Sequence, residues 1–315
     1  MWKLRKSKTA RSLAFFLSMA GCLCCSLSIA AEVSAISPVR YHAMVTNFVM
    51  NAQSPVPYAR LRVVNFSYVD FQGQRHKGGE IIVLDAIANQ VAKLFDRLLD
   101  MGFPIYQAKA MEHFQGSDEK AMDANNTSAF ISRPITGDSL RISLHAYGVA
   151  IDINPVQNPY LSFGDKGAAT FQPAAGQAYA NRSKNRWSKS VRQGMTEQVI
   201  SVFAQHGFLY WGGYWDTPID YQHFQTSREM AEFMAFAPTS LATKFFDQYV
   251  AFYRTCEAAY PEAYQKKQFS EYTSYLKSLL KDSDSNLLSI FQNKETELKA
   301  LLALPVKASP TCIIQ

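Results

Sequence analysis

The chain has 315 residues, of which 48% are hydrophobic and 18% are charged, as in a globular protein with one large domain or one domain and an extension. The formal net charge of +6 arises mainly near the start, because residues 1–35 contain five basic residues and one acidic residue. The rest of the chain is close to neutral, so charge gives no indication of a nucleic-acid partner.

Residues 1–35 have the layout of an export signal. A basic stretch precedes a long apolar run, and Val33-Ser34-Ala35 offers a site for a signal peptidase. Two alternatives remain: a lipobox-like sequence that would lipidate Cys22, and an uncleaved apolar anchor. We therefore expect an exported protein in the periplasm or cell envelope. We expect membrane contact only through this signal or such an N-terminal anchor.

The first elements after the signal are a hairpin and a helix. Residues 60–71 and 80–84 are rich in β-branched and aromatic residues, which predicts a hairpin with a long tip. From Asp85, which we expect to cap the helix, apolar residues recur at helical spacing up to Leu98.

The later chain divides into a loop, an aromatic segment and a helical end. Residues 155–185 contain six Pro and Gly residues and predict a long surface loop that carries substrate contacts. Trp211, Tyr214 and Trp215 follow, and they either line a cleft or pack in the core. Residues 237–315 show helical periodicity and predict a C-terminal helical extension.

Two cysteines remain outside the signal, Cys256 and Cys312. In an oxidising compartment they either form a disulfide that ties the C-terminal end to a helix or stay two separate buried thiols. The sequence leaves both alternatives open.

The stretch from Ser143 to Asp152 reads S-x-H-x-x-G-x-A-x-D and joins a histidine to an aspartate. Both residue types are ordinary zinc ligands. Of the six histidines, only His145 and His223 have polar or acidic partners at suggestive spacing. Two histidines and one aspartate would leave the fourth position of zinc open for water, as catalytic zinc sites require.

Hydrolysis by a zinc site needs two further groups. A carboxylate outside the ligand set must take up a proton and return it to the leaving amine, and Asp220 is the candidate. A cation must reach the developing oxyanion, and Arg133 is placed in the sequence to do so.

The motif at 143–152, followed by D-x-x-H-F at 220–224, resembles that of the zinc peptidoglycan peptidases. These include the vancomycin-resistance-type D-Ala-D-Ala carboxypeptidases and the L-alanyl-D-glutamate endopeptidases of phage endolysins. The similarity covers roughly residues 60–226. Gln225 stands where many members have Glu.

The resemblance implies a role for each motif residue. His145, Asp152 and His223 would bind Zn²⁺, and Asp220 would be the catalytic carboxylate. Arg133 would be the cation for substrate and transition state. Ser143 would be a substrate-binding hydroxyl.

The resemblance also implies a fold and an activity. The fold would be α+β, a small antiparallel sheet with flanking helices (the D,D-peptidase/hedgehog-like zinc fold) over residues 36–236, before the helical extension. The expected activity is that of a D-alanyl-D-alanine carboxypeptidase, which acts on peptidoglycan stem peptides. An L-alanyl-D-glutamate or cross-link endopeptidase and a catalytically silent zinc-fold binding module are the alternatives.

Overall fold

The computed structural model describes residues 30–164 and 167–313, so most of the predicted export signal, including Cys22, lies outside the described residues. The strands are β1 (Glu32–Ala35), β2 (Leu61–Val69), β3 (Arg75–Leu84), β4 (Gln107–Ala108), β5 (Asn126–Thr127), β6 (Pro134–Ile135), β7 (Asp138–Ile142), β8 (Ala150–Asp152), β9 (Tyr160–Phe163), β10 (Ala169–Gln172), β11 (Tyr210–Trp211), β12 (Ile219–Asp220) and β13 (His223–Gln225). The helices are α1 (Pro38–Thr46), α2 (Ala88–Asp100), α3 (Asp118–Asp123), α4 (Ile200–Ala204), α5 (Arg228–Phe236), α6 (Thr239–Ala259), α7 (Pro261–Gln265), α8 (Tyr272–Leu279), α9 (Leu287–Asn293) and α10 (Glu295–Leu302).

The predicted hairpin forms the centre of a three-stranded antiparallel sheet in the order β1-β2-β3. Its tip is shorter than predicted, because β3 already begins at Arg75 and includes both Gly78 and Gly79. The register shifts after Phe66, and the Phe66 ring lies so close to Gly79 that a Cβ there would come within 2.7 Å of it. A pattern-breaking glycine thus marks an irregular strand pair here rather than a loop.

Strand β1 lies within the last residues of the predicted export signal. It pairs with β2, with Val33 opposite Val64. Cleavage next to Ala35 would remove β1 from the sheet, so this strand and that cleavage position cannot coexist in one mature chain. The boundary at residue 35 stays a prediction.

Helix α2 packs its apolar face on this sheet, and the Phe95 ring stacks on that of Phe66 with centroids 3.8 Å apart. The predicted N-cap was wrong, because α2 begins at Ala88 without a side-chain cap. The Asp85 carboxylate instead accepts hydrogen bonds from Arg60 and Thr239. An ion pair with Arg60, the residue before β2, outcompetes the local helix terminus for this side chain.

Two further three-stranded sheets contain residues of the two motifs: β11-β13-β8 contains Asp152 and His223, and β10-β9-β12 contains Asp220. The predicted loop at 155–185 is only partly a loop. Its residues form the antiparallel pair β9 and β10 and a 3₁₀ turn at Ala174–Tyr179. The Pro and Gly residues lie mostly at the ends of these short elements.

The C-terminal part is helical, and its longest helix is α6, with 21 residues. Buried residues of α6 such as Phe245 and Phe246 belong to the same hydrophobic core as the sheet and α2. Cys256 and Cys312 form a disulfide, with Cα atoms 5.5 Å apart, so the first of the two alternatives holds. Within the described ranges, no helix is both long and apolar enough to cross a bilayer.

The mixture of helices with small, mainly antiparallel sheets agrees with the predicted α+β class. The hedgehog-like zinc fold and the domain boundary at residue 236 stay predictions.

Candidate metal centre and active-site pocket

Strand pairing brings two of the motif residues together. β13 lies antiparallel to β8, with His223 directly opposite Asp152 and Phe224 opposite Ile151. Ile151 and Phe224 are fully buried, so the alternation along both strands directs Asp152 and His223 to the other face. Strand pairing therefore brings Asp152 and His223, which lie 71 positions apart in the sequence, directly opposite each other.

A tight turn places the second histidine. Ser143 Oγ accepts a hydrogen bond from the His145 backbone N–H at 3.2 Å and caps a 3₁₀ turn over Leu144–Tyr147. The turn ends at Gly148, which has a φ of +70°, and a Cβ there would come within 2.7 Å of the Leu84 nitrogen. Glycine is therefore required both for the backbone conformation and for the close approach to β3.

His145, Asp152 and His223 are all buried, and one ligand atom from each lies within 4.8 Å of the others. His145 Nε2 lies 3.1 Å from His223 Nδ1 and 3.3 Å from Asp152 Oδ2. His223 Nδ1 lies 2.9 Å from Asp152 Oδ1. Among the described residues, this is the one His/Cys/Asp/Glu cluster with the spacing of a metal site.

Hydrogen bonds on the far side of each ring set the tautomers. His145 Nδ1 lies 2.6 Å from the Ala129 carbonyl oxygen, which can only accept, so Nδ1 carries the proton. His223 Nε2 donates to Gln225 Oε1 at 2.8 Å. When the rings are neutral, His145 Nε2 and His223 Nδ1 carry lone pairs that point at each other and at the Asp152 carboxylate.

This donor set fits a divalent cation. Three buried acceptor atoms at 2.9–3.3 Å repel one another unless a proton or a metal cation lies between them. Two imidazole nitrogens and one carboxylate oxygen, each histidine held by an outer hydrogen bond, are the ligand types and the support that zinc uses in proteins.

In the cluster, the effect of burial on each pKa is opposed by neighbouring charges and hydrogen bonds. Burial acts to raise the pKa of Asp152, but the charge of His145 and hydrogen bonds from both histidines outweigh it and hold that pKa well below its usual range. Burial acts to lower the pKa of His223, but the hydrogen bond and charge of Asp152 outweigh it and raise the pKa to about 8. The carboxylate stays ionised and attracts a cation.

Asp220 lies in the same pocket but outside the cluster. It is buried, and its Oδ1 has no hydrogen-bond partner among the described residues. Burial, followed by the negative charge of Asp152, raises the pKa of Asp220 to about 7. Gly212 packs against it, since a Cβ on Gly212 would come within 2.5 Å of the Asp220 carbonyl oxygen and 2.9 Å of its Cβ.

These residues line a pocket of about 400 Å³. Three arginines contribute to its wall: Arg133, Arg141 and Arg228. Arg133 forms an ion pair with Asp118 at the start of α3, and Arg228 donates to the Ile142 carbonyl oxygen at 2.7 Å. The exposed Arg141 side chain has no hydrogen-bond or ion-pair partner among the described residues.

The pocket therefore contains every residue that the sequence singled out: Ser143, His145, Asp152, Asp220, His223 and Arg133. Ser143 also caps the 3₁₀ turn through its hydrogen bond from the His145 N–H. Of the three aromatic residues left open, Trp215 lines the pocket, with its ring centroid 5.3 Å from that of His223. Trp211 is buried in the core, and Tyr214 is exposed.

Sequence reasoning missed several pocket residues, namely Asp118, Arg141, Tyr160, Gln172 and Arg228. Tyr160 and Gln172 come from the segment predicted to carry substrate contacts, so a weak signal existed for them. Arg141 and Arg228 flank the two motifs by a few residues. Nothing in the pattern distinguishes them from surface arginines.

The comparison with protein families bears on this same part of the chain. Residues 136–226 match the family model of the D-alanyl-D-alanine carboxypeptidases. The match confirms the resemblance predicted from the motifs, and it indicates a hydrolase that acts on peptides of peptidoglycan. It includes the cluster and Asp220, whereas Arg133 lies just before it. The searches of curated proteins and of solved structures gave no match.

Proposed function

We propose that the protein is a zinc-dependent D-alanyl-D-alanine carboxypeptidase that removes the terminal D-alanine from peptidoglycan stem peptides. The observation that carries the proposal is the buried His145–Asp152–His223 cluster in one pocket with the Asp220 carboxylate, whose Oδ1 has no hydrogen-bond partner among the described residues. The family match supports the same assignment. The substrate places the proposed site of action in the cell envelope.

The three ligands account for the first requirement of the reaction. His145, Asp152 and His223 would hold the zinc ion, which would supply a water of pKa about 7 and a Lewis acid for the scissile carbonyl. The hydrogen bonds from His145 to Ala129 and from His223 to Gln225 keep both imidazoles in the tautomer that can bind a cation.

Asp220 accounts for the proton transfers. Its raised pKa, about 7, lets the carboxyl accept a proton from the attacking water and give it to the leaving amine near neutral pH. Its orphaned Oδ1 faces no protein donor, so this oxygen is available to substrate or water.

The arginines favour a carboxypeptidase over an endopeptidase. A substrate with a free terminal carboxylate needs a cation in the pocket, and three guanidinium groups line this one. Arg133 would act on the carbonyl oxygen, as proposed from the sequence, while Arg141 has no protein partner in the described chain and can receive the substrate carboxylate. The Ser143 hydroxyl accepts from the His145 amide and so keeps its O–H for donation to substrate.

The test is the product of digestion. Purified protein, loaded with zinc, is incubated with muropeptides that carry pentapeptide stems, and the products are identified by mass spectrometry. We expect loss of one alanine from the stem terminus, and none after removal of metal by a chelator. Internal cuts would instead indicate the endopeptidase, and no product at all would favour the silent binding module.

Two variants sharpen the test. Asp220→Asn keeps the size of the side chain but cannot exchange a proton, so we expect the rate to fall by about 10²–10⁴-fold. Asp100→Asn makes the same chemical change at an exposed position on α2 and leaves the rate unchanged.

A further inference from the structure

A second surface of the molecule has a charge that the average composition conceals. The segment 167–196 contains five basic residues and no acidic residue, and the basic residues all lie between positions 182 and 192. Outside residues 1–35 and this segment, acidic residues outnumber basic ones by three. The near-neutral balance of the chain thus hides a local excess of positive charge.

The same segment exposes its apolar side chains. Trp187 is 95% exposed, the largest exposure of any aromatic side chain in the described part of the chain, and Val191 is 54% exposed. Lys184 and Lys189, which precede and follow Trp187 in the sequence, are also exposed. The exposed Trp187 ring contributes no burial to the fold and is available to an apolar partner.

Two of the three arginines of the segment anchor its base, and Arg186 donates within the tip to the Ser190 carbonyl oxygen. Arg182 forms an ion pair with Glu197, donates to Asn158, and lies over the Tyr221 ring at 4.2 Å. Arg192 donates to the carbonyl oxygens of Asn181 and Ala178. The tip at 183–191 is therefore supported by its own base, which leaves the two lysines and the indole free.

We propose that the tip at 183–191 docks on an anionic lipid bilayer, with Trp187 in the interface and Lys184 and Lys189 beside phosphate headgroups. Indole rings favour the headgroup region, and basic residues near an anionic surface are attracted to it. An anionic polymer would engage the lysines but leave the indole and Val191 without an apolar partner, so the bilayer accounts for both features. This contact is separate from the predicted N-terminal anchor and from the proposed peptidase activity.

Fluorescence of Trp187 tests the proposal in the full chain. The signal of Trp187 is the difference between wild type and Trp187→Phe, which removes the contribution of the other tryptophans. With vesicles of phosphatidylcholine containing about one third phosphatidylglycerol, we expect this signal to shift to the blue and to be protected from acrylamide. Pure phosphatidylcholine vesicles should have no such effect. Because the readout is local to the loop, an apolar N-terminus that holds the protein on the vesicle does not produce it.

Charge variants test whether the two lysines of the tip, rather than the overall positive charge of the protein, are responsible for binding. Lys184→Gln/Lys189→Gln should weaken protection of Trp187 about 30-fold in apparent affinity, since each lysine contributes about fivefold at an anionic surface. Lys244→Gln/Lys307→Gln removes the same charge from other exposed positions and should change nothing. Equal quenching of Trp187 with and without anionic vesicles would overturn the proposal. So would protection by double-stranded DNA or isolated peptidoglycan in place of the vesicles.

Discussion

At the scale of single residues, the hydrogen bond between His223 Nε2 and Gln225 decides which nitrogen faces the cluster. Without this acceptor the His223 ring could carry its proton on Nδ1, the atom that lies 3.1 Å from His145 Nε2. Gln225 is thus a positioning residue for the proposed zinc site, although it touches no metal itself. The departure from the Glu of the related peptidases keeps this acceptor and removes only a charge.

Gln225→Ala should therefore weaken zinc binding by about 10–100-fold, the usual effect of losing an outer hydrogen bond to a histidine ligand. Gln225→Glu retains the acceptor and should keep the affinity. Competition with a chromophoric chelator measures both. Gln222→Ala, at another glutamine that lines the pocket, is the control and should bind zinc as the wild type does. Wild-type affinity in Gln225→Ala would show that the hydrogen bond does not position His223.

The raised pKa of Asp220 makes the stability of the metal-free protein depend on pH. The folded-state pKa is about 7 and the ordinary value is 3.8, so the folded protein holds a proton that the unfolded chain releases between these values. The free energy of unfolding therefore falls as the pH rises from about 4 to 7, by about 1.4 kcal/mol per pH unit.

In chelator-treated protein, Asp220→Asn removes this buried charge. We expect the variant to be more stable than wild type by a few kcal/mol at pH 8 and similar to it at pH 4. Denaturant unfolding at the two pH values measures the difference, with Asp100→Asn as the control. A difference that is the same at both pH values would contradict the assigned pKa.

The sequence predicted these site residues because each belongs to a motif with chemical meaning. It did not predict Tyr160 or Arg141, since their place in the pocket depends on how β9 and β7 pack rather than on residue type. It also did not predict the tautomer of His145. That tautomer depends on the Ala129 carbonyl, a backbone group that carries no sequence signal.

At the scale of elements, close backbone contacts hold the site together. β12 carries Asp220 past the turn at Gly212, where no side chain fits. Long-range side-chain contacts can also override local sequence preferences. Asp85 binds Arg60 and Thr239 instead of capping helix α2. Periodicity thus predicted that the helix exists, while long-range partners determined where it begins.

Gly212→Ala should push Asp220 away from the cluster, because its Cβ would come within 2.5 Å of the Asp220 carbonyl oxygen. The zinc ligands lie on β8, β13 and the 3₁₀ turn, so zinc content should stay near that of wild type while turnover falls about tenfold or more. The control is Gly164→Ala, whose Cβ would meet only the Ala168 oxygen at 3.9 Å. Unchanged turnover in Gly212→Ala would mean that the position of Asp220 is not critical.

At the scale of the whole molecule, the C-terminal helices and the sheets share one hydrophobic core. Gln90 on α2 donates to Asp247 on α6 at 2.7 Å, and a Cβ on Gly207 would come within 2.4 Å of the Phe246 ring. The sequence predicted a helical end and a near-neutral charge. It did not reveal the shared core or the basic segment 167–196, because composition averages over surfaces that folding separates.

The disulfide between Cys256 and Cys312 closes a loop of 56 residues across this helical part. Cys312→Ser should lower the free energy of unfolding by about 2–4 kcal/mol, because the unfolded chain gains conformational freedom. Denaturant unfolding with and without a reductant measures the loss. Reduced wild type should match the variant under both conditions. A variant as stable as oxidised wild type would show that the bond does not stabilise the fold.

The central claim is that Asp220 and the His145–Asp152–His223 cluster form one hydrolytic site. It is tested most directly by measuring zinc content and alanine release together in wild type and Asp220→Asn, with a pentapeptide stem as substrate. We predict stoichiometric zinc in both proteins and alanine release only by the wild type, with release lost when the metal is removed. Wild-type protein that lacks bound zinc, or an Asp220→Asn variant that releases alanine at the wild-type rate, would contradict it.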